Sequence, residues 1–225
     1  MSIPFNFSFW SPPTSITYIG TQETTATQSS YTYSSVDIGG PGLIVIGFSG
    51  QRSTTTGSNL LSGITINGIN ATIVGQVQEG VTTFAEIKPV TGLVYLRVTS
   101  GTTANITVVY QNNQNGNAIS IWRIQNNKSD TPIQVGSAAN VVTPISNTLT
   151  GLTIGDLVCD QGCGTDSPLG TYSLTGVNQN VQDSFGSLGY VSGSIRITSP
   201  GSLTITQSSS SGFGIRQFNI NAVWR

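Results

Sequence analysis

The sequence predicts an all-β protein, an antiparallel β-sandwich of jelly-roll-like type, and three observations carry that expectation. Apolar and polar residues alternate with a period of two along much of the chain, and no long window shows the i, i+3, i+4, i+7 spacing of an amphipathic helix. Turn-forming clusters recur at sandwich spacing: Gly39-Gly40-Pro41-Gly42, Thr54 to Ser58, Asn112 to Asn117, Ser199-Pro200-Gly201 and Ser208 to Gly212. The third is size. With 225 residues, 36% of them hydrophobic, the chain has enough apolar material for one large core, so a single domain is expected.

Taken in order, the first 35 residues differ from the rest. Phe5, Phe7, Phe9 and Trp10 precede Pro12-Pro13, and a Thr/Ser/Gln-rich stretch from Thr21 to Ser35 follows, with Tyr31 and Tyr33 in it. Residues 1–35 read either as a first strand of the sandwich or as an extended N-terminal arm that docks on a neighbouring subunit. Aromatic rings make good interface anchors because they bury large area at low entropic cost, and prolines keep an arm extended. The sandwich itself is placed at residues 36–225.

Within it, Leu43 to Phe48 is an apolar run closed by Ser49-Gly50, as expected of a strand covered on both faces. The sharpest local signal lies between Ile64 and Val74, where Asn67-Gly68 supplies the positive φ angles of a type I′ turn between two alternating strands. Val94 to Thr99, Ile106 to Tyr110, Ala118 to Ile124, Asp156 to Cys159, Gly193 to Thr198 and Ser202 to Gln207 add further strands, about a dozen segments in all. Gln111 to Asn117 reads as a hairpin loop rather than an interdomain linker, since both flanks are apolar enough for a core. At the end, Phe218, Ile220, Ala222 and Trp224 share one face of a half-buried strand. No repeat period of the solenoid or propeller kind is evident.

The chemistry is defined by what is scarce. There is no histidine, only 8% of residues are charged, and Ser, Thr, Asn, Gln and Gly take their place. Most hydrolytic, redox and transfer reactions need a tunable proton carrier or a soft ligand, so no enzyme, catalytic residue or cofactor is expected. The net charge of −1, with no basic run, argues against nucleic acid. No apolar stretch approaches the ~20 residues of a membrane-spanning helix, and residues 1–7 show neither the basic nor the apolar region of an export signal, so no membrane partner is expected. Without histidine, and with few carboxylates evidently buried, stability is expected to vary little between about pH 5 and 9.

Individual candidates are weak. Cys159 and Cys163, the only cysteines, read as a buried strand residue and a turn residue, with a local disulfide as the alternative; two thiolates without histidine do not make a zinc site. Asp156, Asp160, Asp166 and Asp183 are the densest carboxylates. They read as turn residues, or with loop carbonyls as a calcium site, although no EF-hand-like alternation is present. No two carboxylates are spaced as a glycosidase pair, and Glu86 and Lys88 fit a surface pair on one strand face. Tyr172, Phe185, Tyr190 and Phe213 lie in or beside Gly/Ser-rich segments, where they either plug the sandwich or stack on glycan rings. Trp122 reads as core, and Arg123 as the partner of an acid at an edge or interface.

Gly63-Ile64-Thr65-Ile66-Asn67-Gly68-Ile69-Asn70-Ala71-Thr72, Ala118 to Ile124 and Leu149 to Val158, with the closing aromatic strand, resemble β-sandwich virion proteins of tailed bacteriophages from about Val36 to Trp224. That resemblance implies a structural role on the particle exterior: a capsid decoration or cement protein, a head fibre, or part of a tail fibre. It implies assembly in the host cytoplasm, and as partners the major capsid protein or neighbouring copies in a homo-oligomer, a trimer where a subunit sits on a threefold axis. The alternative is a tail-fibre or spike module that binds a host surface receptor or glycan.

Overall fold

In a computed structural model, which describes residues 12–52, 59–78, 88–140, 143–165, 170–211 and 216–225, the alternating segments form seventeen strands and no helix. The first nine are β1 (Ser15–Thr24), β2 (Gln28–Asp37), β3 (Gly42–Arg52), β4 (Leu61–Ile66), β5 (Ile69–Asn70), β6 (Thr72–Gln78), β7 (Lys88–Val98), β8 (Thr103–Gln114) and β9 (Asn117–Gln125). The rest are β10 (Gln134–Asn140), β11 (Ile145–Leu152), β12 (Leu157–Thr165), β13 (Tyr172–Thr175), β14 (Asn178–Phe185), β15 (Leu188–Arg196), β16 (Gly201–Ser209) and β17 (Arg216–Trp224).

The strands make four antiparallel sheets, stacked as four layers of one sandwich-like domain. An outer sheet β2-β8-β4-β5 covers an inner sheet β1-β9-β3-β7-β6 through a core that includes Tyr31, Ile44, Ile46, Phe48, Ile119 and Ile121. A second inner sheet, β10-β17-β12-β15-β14, is covered by the outer sheet β11-β16-β13 through Leu149, Val158, Val191, Ile205 and Val223. The two inner sheets meet face to face. Leu43, Val45, Trp122 and Ile124 from one pack on Leu157, Ile220, Ala222 and Trp224 from the other. This layering explains why β3 and β12 are buried on both faces along nearly their whole length.

The winding occurs twice. Replacing β1-β9-β3-β7-β6 by β10-β17-β12-β15-β14, and β2-β8-β4 by β11-β16-β13, maps each strand of the first half onto its counterpart in the second, with β5 left over. Registers agree as well: Leu43 faces Ile124 and Arg97 across its neighbours, and Leu157 faces Trp224 and Arg196. In both halves successive strands largely alternate between inner and outer sheet in jelly-roll fashion, with β4–β5, β6–β7 and β14–β15 as neighbours within one sheet. The duplication is written most plainly in one hairpin, where Leu96-Arg97-Val98-Thr99-Ser100 matches Ile195-Arg196-Ile197-Thr198-Ser199. Elsewhere the halves share inside and outside rather than residue types, which hides the repeat from a search for a fixed period.

Within residues 1–35, the part described from Ser15 onward takes the first-strand reading rather than that of an extended arm. Residues 15–37 are β1 and β2, integral strands whose Thr, Ser and Gln side chains mostly face outward, while Tyr31 is buried and its hydroxyl lies 2.8 Å from the Gln114 carbonyl. Phe5, Phe7, Phe9 and Trp10 lie outside the described residues. The hairpin at Asn67-Gly68 forms as expected, with φ of 51° and 79°. Gln111 to Asn117 is neither a linker nor the expected hairpin loop: Gln111–Gln114 end β8, Asn117 opens β9, and only Asn115-Gly116 lie between them, carrying the chain from the outer sheet to the inner one.

Candidate functional site

The two halves differ most at one buried place. In the first sandwich, Ile46, Ile119 and Ile121 point into the core between inner and outer sheet. The matching positions of the second sandwich hold Asp160, Asn219 and Asn221: Asp160 pairs with Asn221 in register as Ile46 does with Ile121. The sequence Asn219-Ile220-Asn221 makes this possible, because alternation sends both amides inward and Ile220 to the opposite face.

Asp160 is fully buried on β12. The Asn219 amide donates to both carboxylate oxygens, at 2.7 and 3.0 Å, and Asn221 Nδ2 lies 3.4 Å from Oδ1. Asn147, half-buried on β11, completes the group: its Oδ1 accepts from Asn221 Nδ2 at 2.8 Å and its own Nδ2 donates to Asn219 Oδ1 at 3.1 Å. No lysine or arginine among the described residues pairs with Asp160. Burial therefore pushes its carboxyl up to about 7, against the opposing pull of the two asparagine amides. A carboxyl raised this far should make stability vary with pH inside the window of 5 to 9, counter to the indifference expected from composition. An inward-facing aspartate on a central strand gives the sequence no alternation signal that separates it from a solvated one.

The layer next to it is polar too. Gln207, at the position of Val108, donates to the Cys163 carbonyl at 3.0 Å, while its Oε1 lies against Gly162, where a Cβ would stand 2.0 Å away. Gln207 Oε1 and Asn221 Oδ1 are buried without partners.

The carboxylates grouped by sequence are dispersed by the fold. Asp156 is clamped by Arg225, with Nε to Oδ1 and Nη2 to Oδ2 both 2.8 Å; Asp183 caps Ser184 on the surface; Asp166 lies outside the described residues. Among the described residues, Asp156, Asp160 and Asp183 do not come together as a calcium loop, and no cluster of three or more acids or cysteines suited to a metal occurs there. Glu86, too, lies outside them, and Lys88 is buried opposite Arg52 on β3 rather than on a surface face.

Tyr172, Phe185 and Tyr190 are buried, so they offer no face to a sugar; Phe213 lies outside the described residues. Tyr172 fills the second sandwich, and Phe185 and Tyr190 pack beside Cys163 and Phe218 between the inner sheets. The Tyr190 hydroxyl donates to Glu23 Oε2 at 2.8 Å, tying β15 to β1. Polar residues around an aromatic do not distinguish an exposed ring from one capped by its own neighbours.

Cys159 and Cys163 are free and buried, and both lie on β12, Cys163 included. Burial pushes both thiols upward, which keeps them protonated and unreactive. Trp122 is core, with its Nε1 donating to Asn180 at 2.9 Å. Arg123 has no acidic partner among the described residues. It lies in the corner left by Gly39, Gly40 and Gly42, where a Cβ on Gly40 would stand 2.9 Å from its Nη1.

Comparison with protein-family models and with curated proteins finds no match to this chain.

Proposed function

We propose that the chain is a non-enzymatic structural component of a bacteriophage particle, carried on its exterior and decorating or cementing the capsid. The supporting observation is the jelly-roll winding built twice into one chain and joined through a shared apolar interface, an architecture suited to a rigid block. Jelly rolls serve in capsids and in lectins, so the winding alone does not choose between them. The side chains favour the first: Tyr172, Phe185 and Tyr190, the rings a glycan-binding module would have presented, are core. Its partners are the shell protein or neighbouring copies of itself, with Phe5, Phe7, Phe9 and Trp10 as anchor.

The test is to image particles carrying a labelled full-length chain beside particles made with a chain lacking residues 1–11. The full-length protein is expected at regular positions on the capsid exterior, and the shortened protein is expected to fold but not to be incorporated. Purified particles without the chain would overturn the proposal, and copies confined to tail fibres would replace it with the receptor-binding alternative.

A further inference from the structure

We propose that Asp160, Asn147, Asn219 and Asn221 bind one hard cation of calcium's size inside the second sandwich. Three carbonyl-type oxygens converge on a single point, now held by Asn221 Nδ2: Asn147 Oδ1 at 2.8 Å, Asn219 Oδ1 at 3.3 Å and Asp160 Oδ1 at 3.4 Å. An amide nitrogen has two hydrogens and cannot satisfy all three. Its own oxygen, meanwhile, is buried without a partner.

Turning the Asn221 amide over exchanges two nearly isosteric atoms and brings that orphan oxygen to the three others. Asp160 then contributes a carboxylate and the asparagines neutral carbonyl oxygens, the ligand set a hard cation takes. After the turn the Asn221 oxygen stands 2.8, 3.3 and 3.4 Å from the other three, separations found between neighbouring oxygens around a cation with the 2.3–2.6 Å bonds of calcium, whereas magnesium demands a tighter octahedron and keeps its waters. A monovalent cation of similar size would use the same oxygens.

Two further features fit. A cation neutralises a buried carboxylate that has no basic partner among the described residues, which hydrogen bonds alone do not. Space is kept beside the cluster by Gly136 on β10, where a Cβ would come within 2.7 Å of Asn221 Oδ1 and 3.3 Å of Asn147 Oδ1. Asn147 is half-buried, which makes it the member of the cluster nearest solvent, since Asp160, Asn219 and Asn221 are buried. The first sandwich, with isoleucines at the three matching positions, has no such site.

The experiment titrates calcium chloride, with sodium and magnesium chloride as separate arms, into chelator-treated full-length protein in a choline chloride buffer. Calorimetry and thermal unfolding are read for the wild type, for Asp160→Asn and for Asn147→Ala. The wild type is expected to take up one ion per chain and to melt several degrees higher at about 10 mM calcium, well above the ~0.1–1 mM affinities of weak oxygen-only sites. Asp160→Asn keeps the shape and the amide bonds and is expected to fold without responding; Asn147→Ala, nearest solvent, is expected to bind at least tenfold more weakly. A response to sodium but not calcium identifies the monovalent ion at the same oxygens. A wild type indifferent to both, or variants that respond as it does, would overturn the proposal.

Discussion

Arg225, the last residue of the chain, grips Asp156 at the start of β12 with two parallel hydrogen bonds of 2.8 Å. The acid is buried and also accepts from the Thr153 amide, at 2.8 Å, and from its hydroxyl. The Arg225 guanidinium, ahead of the Thr153 bonds, holds the Asp156 carboxyl below its usual range. A carboxylate lowered in this way stabilises the fold above its unfolded value near pH 4 and loses that contribution as pH falls through the folded one. Arg225→Gln is therefore expected to melt below the wild type at pH 7. The gap should close as the pH approaches about 2, in thermal melts taken across that range.

Asp160 acts in the opposite sense. Its carboxyl is raised, so it costs nothing below its unfolded value near pH 4 and progressively more as pH climbs to about 7. In chelator, urea denaturation should show the wild type losing a few kcal/mol between those limits, while Asp160→Asn stays flat. Parallel curves for the two proteins would mean that the carboxyl is solvated.

Close packing of the first half rests on Gly92. A Cβ there would meet the Phe48 ring at 2.4 Å and the Gly75 carbonyl at 2.6 Å, whereas at Gly63 it would meet nothing within 4 Å. Gly92→Ala is expected to destabilise by about 1–3 kcal/mol through overpacking. Gly63→Ala should be neutral or stabilising by about 0.5–1 kcal/mol. Denaturant midpoints measured side by side check both.

The halves should not fold apart. Separated between residues 126 and 133, each would expose its side of the interface formed by Leu43, Val45, Trp122 and Ile124 against Leu157, Ile220, Ala222 and Trp224. Fragments 12–125 and 134–225 are expected to be poorly folded alone and to recover a native circular-dichroism spectrum on mixing. A cooperative melt from either fragment by itself would contradict this.

Much of the fold was legible in sequence because alternation reports which face is buried. Leu43 to Phe48 and Asn67-Gly68 form what their patterns imply, whereas Phe218 to Trp224, read as a half-buried strand, is a strand buried on both faces. The duplication was not legible, because sandwich halves need the same pattern rather than the same residues, and only the hairpins at Arg97 and Arg196 kept both. The polar cluster escaped for a related reason. Asn219 and Asn221 alternate with Ile220 as surface residues would, and only the covering strand β11 makes their face an interior one. Aromatics in Gly-rich segments misled in the other direction: Tyr172 fits into the second sandwich because Gly164 and Gly189 leave room for its ring.

Two copies of one winding in a chain also change what each copy must achieve. Folded proteins sit only a few kcal/mol above the threshold for function, and a lone sandwich of some ninety residues has little margin for an aspartate and three asparagines in or against its interior. Here Ile46, Ile119 and Ile121 keep one half conventionally apolar, and the joint interface lends that stability to its twin. The second half is thereby released from the constraint that governs the first. Its interior can vary, acquiring polar chemistry that selection on a single sandwich would have removed.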